Sequence, residues 1–194
     1  MAEHPRVRVH VEVTNRRVDV IEEGLDLAIR VRQPPIEESE LILKKLGVSR
    51  GLLVASPALL DRLGRPQGPD ELDRFDSLDM VRATGEHIWH LTGPDGTVRK
   101  VAFSPRLECD EMVVLRRAAL DGLGIVQLPD WLVGDDIAAG RLESVLPEWK
   151  QPEGLFHAVF PTRRGLVPAV RLFLDALGEA FHAQELAEII PKHA

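Results

Sequence analysis

Several short stretches of this 194-residue chain carry residue types at spacings that could do chemistry. Gly47-Val48-Ser49-Arg50-Gly51 fits G-x-S-x-G, in which a strained strand-to-helix turn exposes a serine nucleophile. Residues 52–55, which follow it, are a short apolar run suited to a strand, so a turn between strands explains the pattern better. His87 and His90 stand three apart and could share a metal on a helix. Ile88, Trp89 and Leu91 around them suit a strand, where the two rings point to opposite faces, and no H-E-x-x-H or third ligand is near. Gly122-Leu123-Gly124 lacks the third glycine of a dinucleotide fingerprint and closes a helix-like segment instead of opening one. Cys109 could be a redox thiol at a helix N-terminus. The carboxylates of Asp110 and Glu111 beside it disfavour a thiolate, and a small buried residue suits the position better. No catalytic set, metal set or cofactor cradle is expected.

Composition narrows the classes further. The net charge is -7, and an acidic surface repels phosphate, so direct nucleic-acid binding by this chain is not expected. A single cysteine excludes a disulfide framework or a cysteine-based zinc site within one chain. Residues 1–8 hold no apolar signal core, and no apolar run approaches the ~18 residues of a membrane span. The expectation is a soluble, cytoplasmic protein with no membrane partner. Apolar residues make up 44% of the chain and tyrosine is absent, so the core must be built from Leu, Val, Ile and Ala.

The elements that would position these residues follow from periodicity. Val7, Val9, Val11 and Val13 alternate with polar residues, which predicts a half-buried strand. Residues 16–23 suit a short helix that Gly24 stops, and residues 25–31 a strand. Strand, helix, strand implies a parallel pair with a right-handed crossover. Residues 41–46 and 52–55 are two more strands. Ser56 is the natural N-cap of a helix that Pro57 opens and Gly64 closes, and residues 70–74 add a helical turn. Residues 88–91 and 97–103 flank Gly93-Pro94-Asp95-Gly96, a hairpin turn. Residues 110–120 suit a helix, 125–128 a buried strand, and Pro129 starts a short helix. Residues 156–160 are a strand. Residues 167–181 are the longest helix, with Val170, Leu174, Leu177 and Phe181 on one face. Alternating strands and helices give an α/β protein of two lobes.

Six stretches in one order carry a resemblance. They are T-N-R-R-V-D-V-I-E-E-G-L-D-L-A-I-R-V (residues 14–31), L-V-A-S-P-A-L-L-D-R-L-G-R-P (53–66), the Trp89 strand with its P-D-G turn, L-R-R-A-A-L-D-G-L-G-I-V-Q-L-P-D-W-L-V (115–133), G-R-L-E-S-V-L-P-E-W (140–149) and P-A-V-R-L-F-L-D-A-L (168–177). Together they resemble the effector-binding domain of the LysR-type transcriptional regulators. The resemblance implies a two-lobe fold like the type II periplasmic binding proteins, non-enzymatic, with a small effector in the cleft. Lobe one would comprise residues 5–81 and 157–190, and lobe two residues 82–156. The resemblance places Thr14, Val31, Arg32, Thr84, Cys109, Asp110, Gln127, Pro129 and Phe160 around the effector. Helix capping explains Thr14 equally well, and ordinary hydrogen bonding Thr84 and Gln127. Arg32 stands where close relatives commonly carry glycine, and its fixed cation suits a carboxylate effector. The resemblance also implies a homodimer, with the strand at residues 6–13 against the helix at residues 110–120.

This chain shows no counterpart of the family's winged helix-turn-helix, its linker helix, or the first strand and helix of the effector domain. In the family that first strand lies between the strands expected here at residues 6–13 and 25–31. The implication is a truncated regulator with two unpaired strand edges, less stable than a full domain and open to pairing with other chains. Two rival readings share some of these features: a transporter's solute-binding protein, and a small serine hydrolase using Ser49.

Overall fold

Five short strands of the middle of the chain build one sheet, and three helices pack on it with a core on each face. The computed structural model describes residues 4–16, 18–36, 41–82, 84–161 and 167–189. Internal packing divides the chain into two units: residues 1–48 with 155–194, and residues 49–154.

In the second unit, β3 (Gly51–Ala55) pairs antiparallel with β8 (Ile125–Pro129) and with β9 (Glu143–Ser144). On the other side of β8, β4 (Ser77–Asp79) runs parallel to it and to β7 (Leu107–Glu108). The order is β7-β4-β8-β3-β9. Alternation along β3 and β8 sends successive residues to opposite faces. Leu53, Ala55 and Ile125 join Leu59, Leu60, Trp89 and Leu91 in one core. Val54, Val126 and Leu128 join Leu78, Leu115 and Val133 in the other. The first core includes Leu59 and Leu60 of α1 (Pro57–Leu63), which Ser56 caps by accepting from Leu59 N at 3.3 Å. It also takes Trp89 and Leu91 from the hairpin of β5 (Ile88–Thr92) and β6 (Val98–Ala102). The second core takes Leu115 and Ala118 from α2 (Met112–Leu120) and Val133 from α3 (Asp130–Ala138).

The division between units differs from the expected lobes. The boundary expected after residue 81 falls inside the second unit, because β3 and β4 pair in one sheet with β8. A run of strands cannot be split where its ladder is continuous, and the sequence pattern does not show which strands share a ladder.

In the first unit, β1 (Ala28–Arg32), β10 (Gly154–Pro161) and β2 (Leu41–Ser49) form a sheet of order β1-β10-β2. The long helix α4 (Pro168–Ile189) sets Val170, Leu174, Leu177 and Phe181 against Leu46, Phe156, Ala158 and Phe160. This is the face that the helical period predicts. Ile29 and Val31 oppose Ala158 and Phe156 on the same side of the sheet yet stay about half exposed. Among the described residues β1 has a ladder partner on one side only.

Three expectations for the N-terminal region are corrected. Residues 7–13 lie outside every sheet, with Val11 and Val13 71% and 87% exposed. A half-buried strand needs a ladder for its amides and a core for its apolar side, and neither reaches these residues. In place of the helix at residues 16–23 the chain forms a turn, in which Gly24 N bonds Ile21 O and Leu25 N bonds Val20 O. Gly24 at φ 68° still provides the expected stop. Residue 17 lies outside the described residues. The parallel crossover is absent as well, since residues 7–13 supply no strand to pair with β1, whose ladder partner is the antiparallel β10.

Asp136 ties α2 and α3 together. Its carboxylate is fully buried and accepts from Arg116 Nε at 2.5 Å, Arg116 Nη2 at 2.9 Å and Arg141 Nε at 2.8 Å. Arg116, ahead of the opposing cost of burial and with help from Arg141, holds the carboxyl below the usual carboxylate range. A depressed carboxylate stabilises the fold above the unfolded value near 3.9, and that contribution disappears as pH falls through the lower folded value. Asp136→Asn should therefore cost roughly 2–3 kcal/mol in urea unfolding at pH 7. The gap from wild type should begin to narrow below about pH 4 and close only below the lower folded value.

Candidate functional site

Three parallel strands of the second unit end at one edge, at Asp79, Glu108 and Pro129. In open α/β sheets the carboxyl ends of the strands are where ligands bind. Asp79, 2% exposed, is the hub of this edge. Its carboxylate accepts from Met80 N at 2.8 Å, from Arg82 Nε at 3.1 Å and Nη2 at 2.9 Å, and from His87 Nδ1 at 2.8 Å. Its carbonyl accepts from Cys109 N at 3.2 Å, which draws the segment after β7 onto β4. A buried carboxylate is costly unless paired, and Arg82 supplies the compensating charge.

The His87–Asp79 contact has the form of a base and its orienting acid. Nδ1 must donate to the carboxylate, which leaves Nε2 to act. Nε2 stands 3.6 Å from Glu108 Oε1, facing a carboxylate where a relay would need a hydroxyl or thiol. Phe103 packs against the ring at 5.7 Å. Ser49 ends β2 and is buried, with a strand following it, so it lacks the exposed elbow of a nucleophile. His90 sits exposed on β5 while His87 is buried. Among the described residues no three His, Cys, Asp or Glu side chains are placed to hold a metal ion. No described helix is long and apolar enough to cross a membrane.

The residues singled out in the sequence fall into two sets, one in each unit. In the second unit, Thr84 is exposed in the loop after β4, and its Oγ1 accepts from Glu86 N at 3.3 Å. Cys109 is half-buried against the α2 core, with Sγ accepting from Glu111 N at 3.4 Å. Asp110 is exposed beside it. Glu111, and not Asp110, caps α2 by accepting from Val113 N at 3.3 Å. The anion-favouring end of that helix is thus filled by the chain's own carboxylate. Gln127 and Pro129 are half-buried at the end of β8.

In the first unit, Val31 and Arg32 close β1. Arg32 is half-buried, and among the described residues its guanidinium meets no carboxylate. Thr14 is exposed, with Oγ1 accepting from Arg16 N at 3.3 Å, so a local side-chain turn accounts for it. Phe160 is buried with Leu46, Ala158 and Leu174, so packing accounts for it. Sequence reasoning passed over Asp79. Its signal is a charge between Leu78 and Met80 in a short apolar run, where a strand would bury it.

The LysR substrate binding domain family matches residues 1–182. An HTH-type transcriptional regulator of Haemophilus influenzae is 33% identical over 166 residues, 86% of this chain and 57% of that protein. The chain thus spans little more than half the length of this relative. Among solved structures, the full-length Vibrio cholerae virulence activator AphB superposes with TM-score 0.81 at 25% identity, over 93% of this chain and 60% of that one. The CrgA regulatory domain of Neisseria meningitidis superposes with TM-score 0.72 at 31% identity, over 83% of this chain and 78% of that one. The α/β fold is of the type II periplasmic-binding-protein-like class, as in these regulatory domains. The chain belongs to the LysR substrate binding domain family.

Proposed function

We propose that this chain is the effector-sensing part of a LysR-type regulator and binds a small carboxylate through Arg32. The single observation that carries the carboxylate is Arg32, a half-buried residue at the end of β1 whose guanidinium meets no carboxylate among the described residues. Several other arginines meet the chain's own acids: Arg82 on Asp79, Arg116 and Arg141 on Asp136, and Arg65 on Glu143. An arginine left over in a partly desolvated place suits a planar anion, which it can grip with two parallel bonds. Each unit is proposed to carry its own effector-contacting residues: Val31 with Arg32 in the first, and Thr84, Cys109, Asp110 and Pro129 at the strand ends of the second.

The mechanism is a shift in population. An effector that favours one arrangement of the regulator moves the equilibrium by its difference in affinity for the two states. The activity is binding, with no reaction catalysed. The chain acts as a homodimer in this reading. Its surfaces would be the exposed valines of residues 9–13 and the outer face of α2, where Val113 and Val114 are about half exposed. A self-complementary two-fold contact is the commonest oligomer geometry.

Four outcomes test this reading. In a thermal-shift screen of small mono- and dicarboxylates, at least one should raise the Tm. Arg32→Gln should weaken its binding tenfold or more, about 1.4 kcal/mol; an unchanged affinity would count against Arg32. Val113→Lys should convert the dimer to monomer in sedimentation equilibrium while the far-ultraviolet circular dichroism of the folded chain persists. Ser49→Ala should leave binding unchanged, and neither protein should hydrolyse p-nitrophenyl acetate above background.

A further inference from the structure

His87 lies between the carboxylates of two neighbouring strands. Its Nδ1 is 2.8 Å from Asp79 Oδ2 at the end of β4, and its Nε2 is 3.6 Å from Glu108 Oε1 at the end of β7. These partners set the orientation of the ring, because turning it over would put carbon against both carboxylates. The backbone is held as well. His87 O accepts from Phe103 N at 3.0 Å, and the Phe103 ring packs against the imidazole.

The cluster is complementary to one protonation state of the ring. An ionised carboxylate only accepts, so Nδ1 donates to Asp79. In the neutral ring Nε2 then carries a lone pair, which faces Glu108 Oε1 as acceptor against acceptor. In the imidazolium both nitrogens carry protons, and each faces a carboxylate. Charge points the same way. β4 brings Asp79, β7 brings Glu108, and the loop after β4 brings Arg82, which bonds Asp79. Phe103, after β6, adds no charge. Two carboxylates and one guanidinium leave one negative charge unmatched, and a proton on His87 matches it. The side chains of His87 and Asp79 are 6% and 3% exposed, so solvent screens their attraction little.

Glu108 is the member able to move, since its side chain is 45% exposed. β7 is two residues long, and among the described residues β4 is its one ladder neighbour. Beyond β7, Cys109 N bonds Asp79 O at 3.2 Å, and Glu111 caps α2. We propose that His87 is a proton-operated clasp. Protonated, it ties Glu108 and the segment leading into α2 to β4. Neutral, it releases Glu108 to solvent. The clasp therefore closes as pH falls and opens as pH rises. Protons become a second input to this strand edge, independent of any ligand at Arg32.

The test is NMR of the 15N-labelled full chain, titrated between about pH 8 and about pH 5, where histidine side chains change charge. It follows the His87 ring nitrogens and the exchange protection of the Cys109 amide, corrected for the intrinsic effect of pH. His87 should pass from the Nδ1–H tautomer to imidazolium, and Cys109 protection should rise severalfold with the same midpoint. Glu108→Gln offers a partner to either form of the ring, so Cys109 protection should become independent of pH. Should that variant fail to fold, Glu108→Ala, which truncates a half-exposed side chain, must abolish the rise. A ring that keeps one charge throughout would overturn the clasp. So would Cys109 protection indifferent to the ring's titration, or a Glu108 variant that responds as wild type does.

Discussion

The antiparallel pairing of β3 with β8 is the interaction on which the second unit depends. Its two strands supply both cores from opposite faces, and each carries further strands along its outer side. The pairing also sets how closely β8 approaches β4. Ile125 N bonds Asp76 O at 2.8 Å, and a β-carbon at Gly124 would stand 2.4 Å from that same oxygen. Glycine is required there by the close approach, which explains the Gly122-Leu123-Gly124 pattern without a nucleotide. The same ladder brings Gly51 under Gln127 and carries Pro129 to the edge where Asp79 and Glu108 end.

Local signals made most of the later chain legible. Ser56 and Pro57 start α1, Gly93-Pro94-Asp95-Gly96 turns a hairpin, and the period of Val170, Leu174, Leu177 and Phe181 marks the buried face of α4. Each depends on residues close in sequence. The failures depend on partners far away. Val7 to Val13 alternate as a strand does, but alternation cannot supply a neighbouring ladder, and here those residues stay outside every sheet. The division of units failed for the same reason, because only the pairing of β3 and β4 with β8 shows where residues 49–81 belong.

The candidate site was legible as residue types and not as geometry. Cys109 N bonds the carbonyl of Asp79, the buried hub of the strand edge, whose partners Arg82 and His87 are set by the loop after β4. Cys109 and Glu111 serve backbone amides, Thr14 serves a turn and Phe160 serves the core. The acids and bases that could have formed a relay are committed to holding the fold. Arg32, half-buried at the end of β1, meets no carboxylate among the described residues.

The central claim is that this chain binds a small molecule at the ends of its strands. The most direct measurement is hydrogen–deuterium exchange of the chain with and without the fraction below 1 kDa of an extract from cells that express it. The account predicts slower exchange in the peptides that contain Arg32 and Gln127, with the β5–β6 hairpin unchanged. Exchange unaltered throughout, or slowed only in the hairpin, would contradict it.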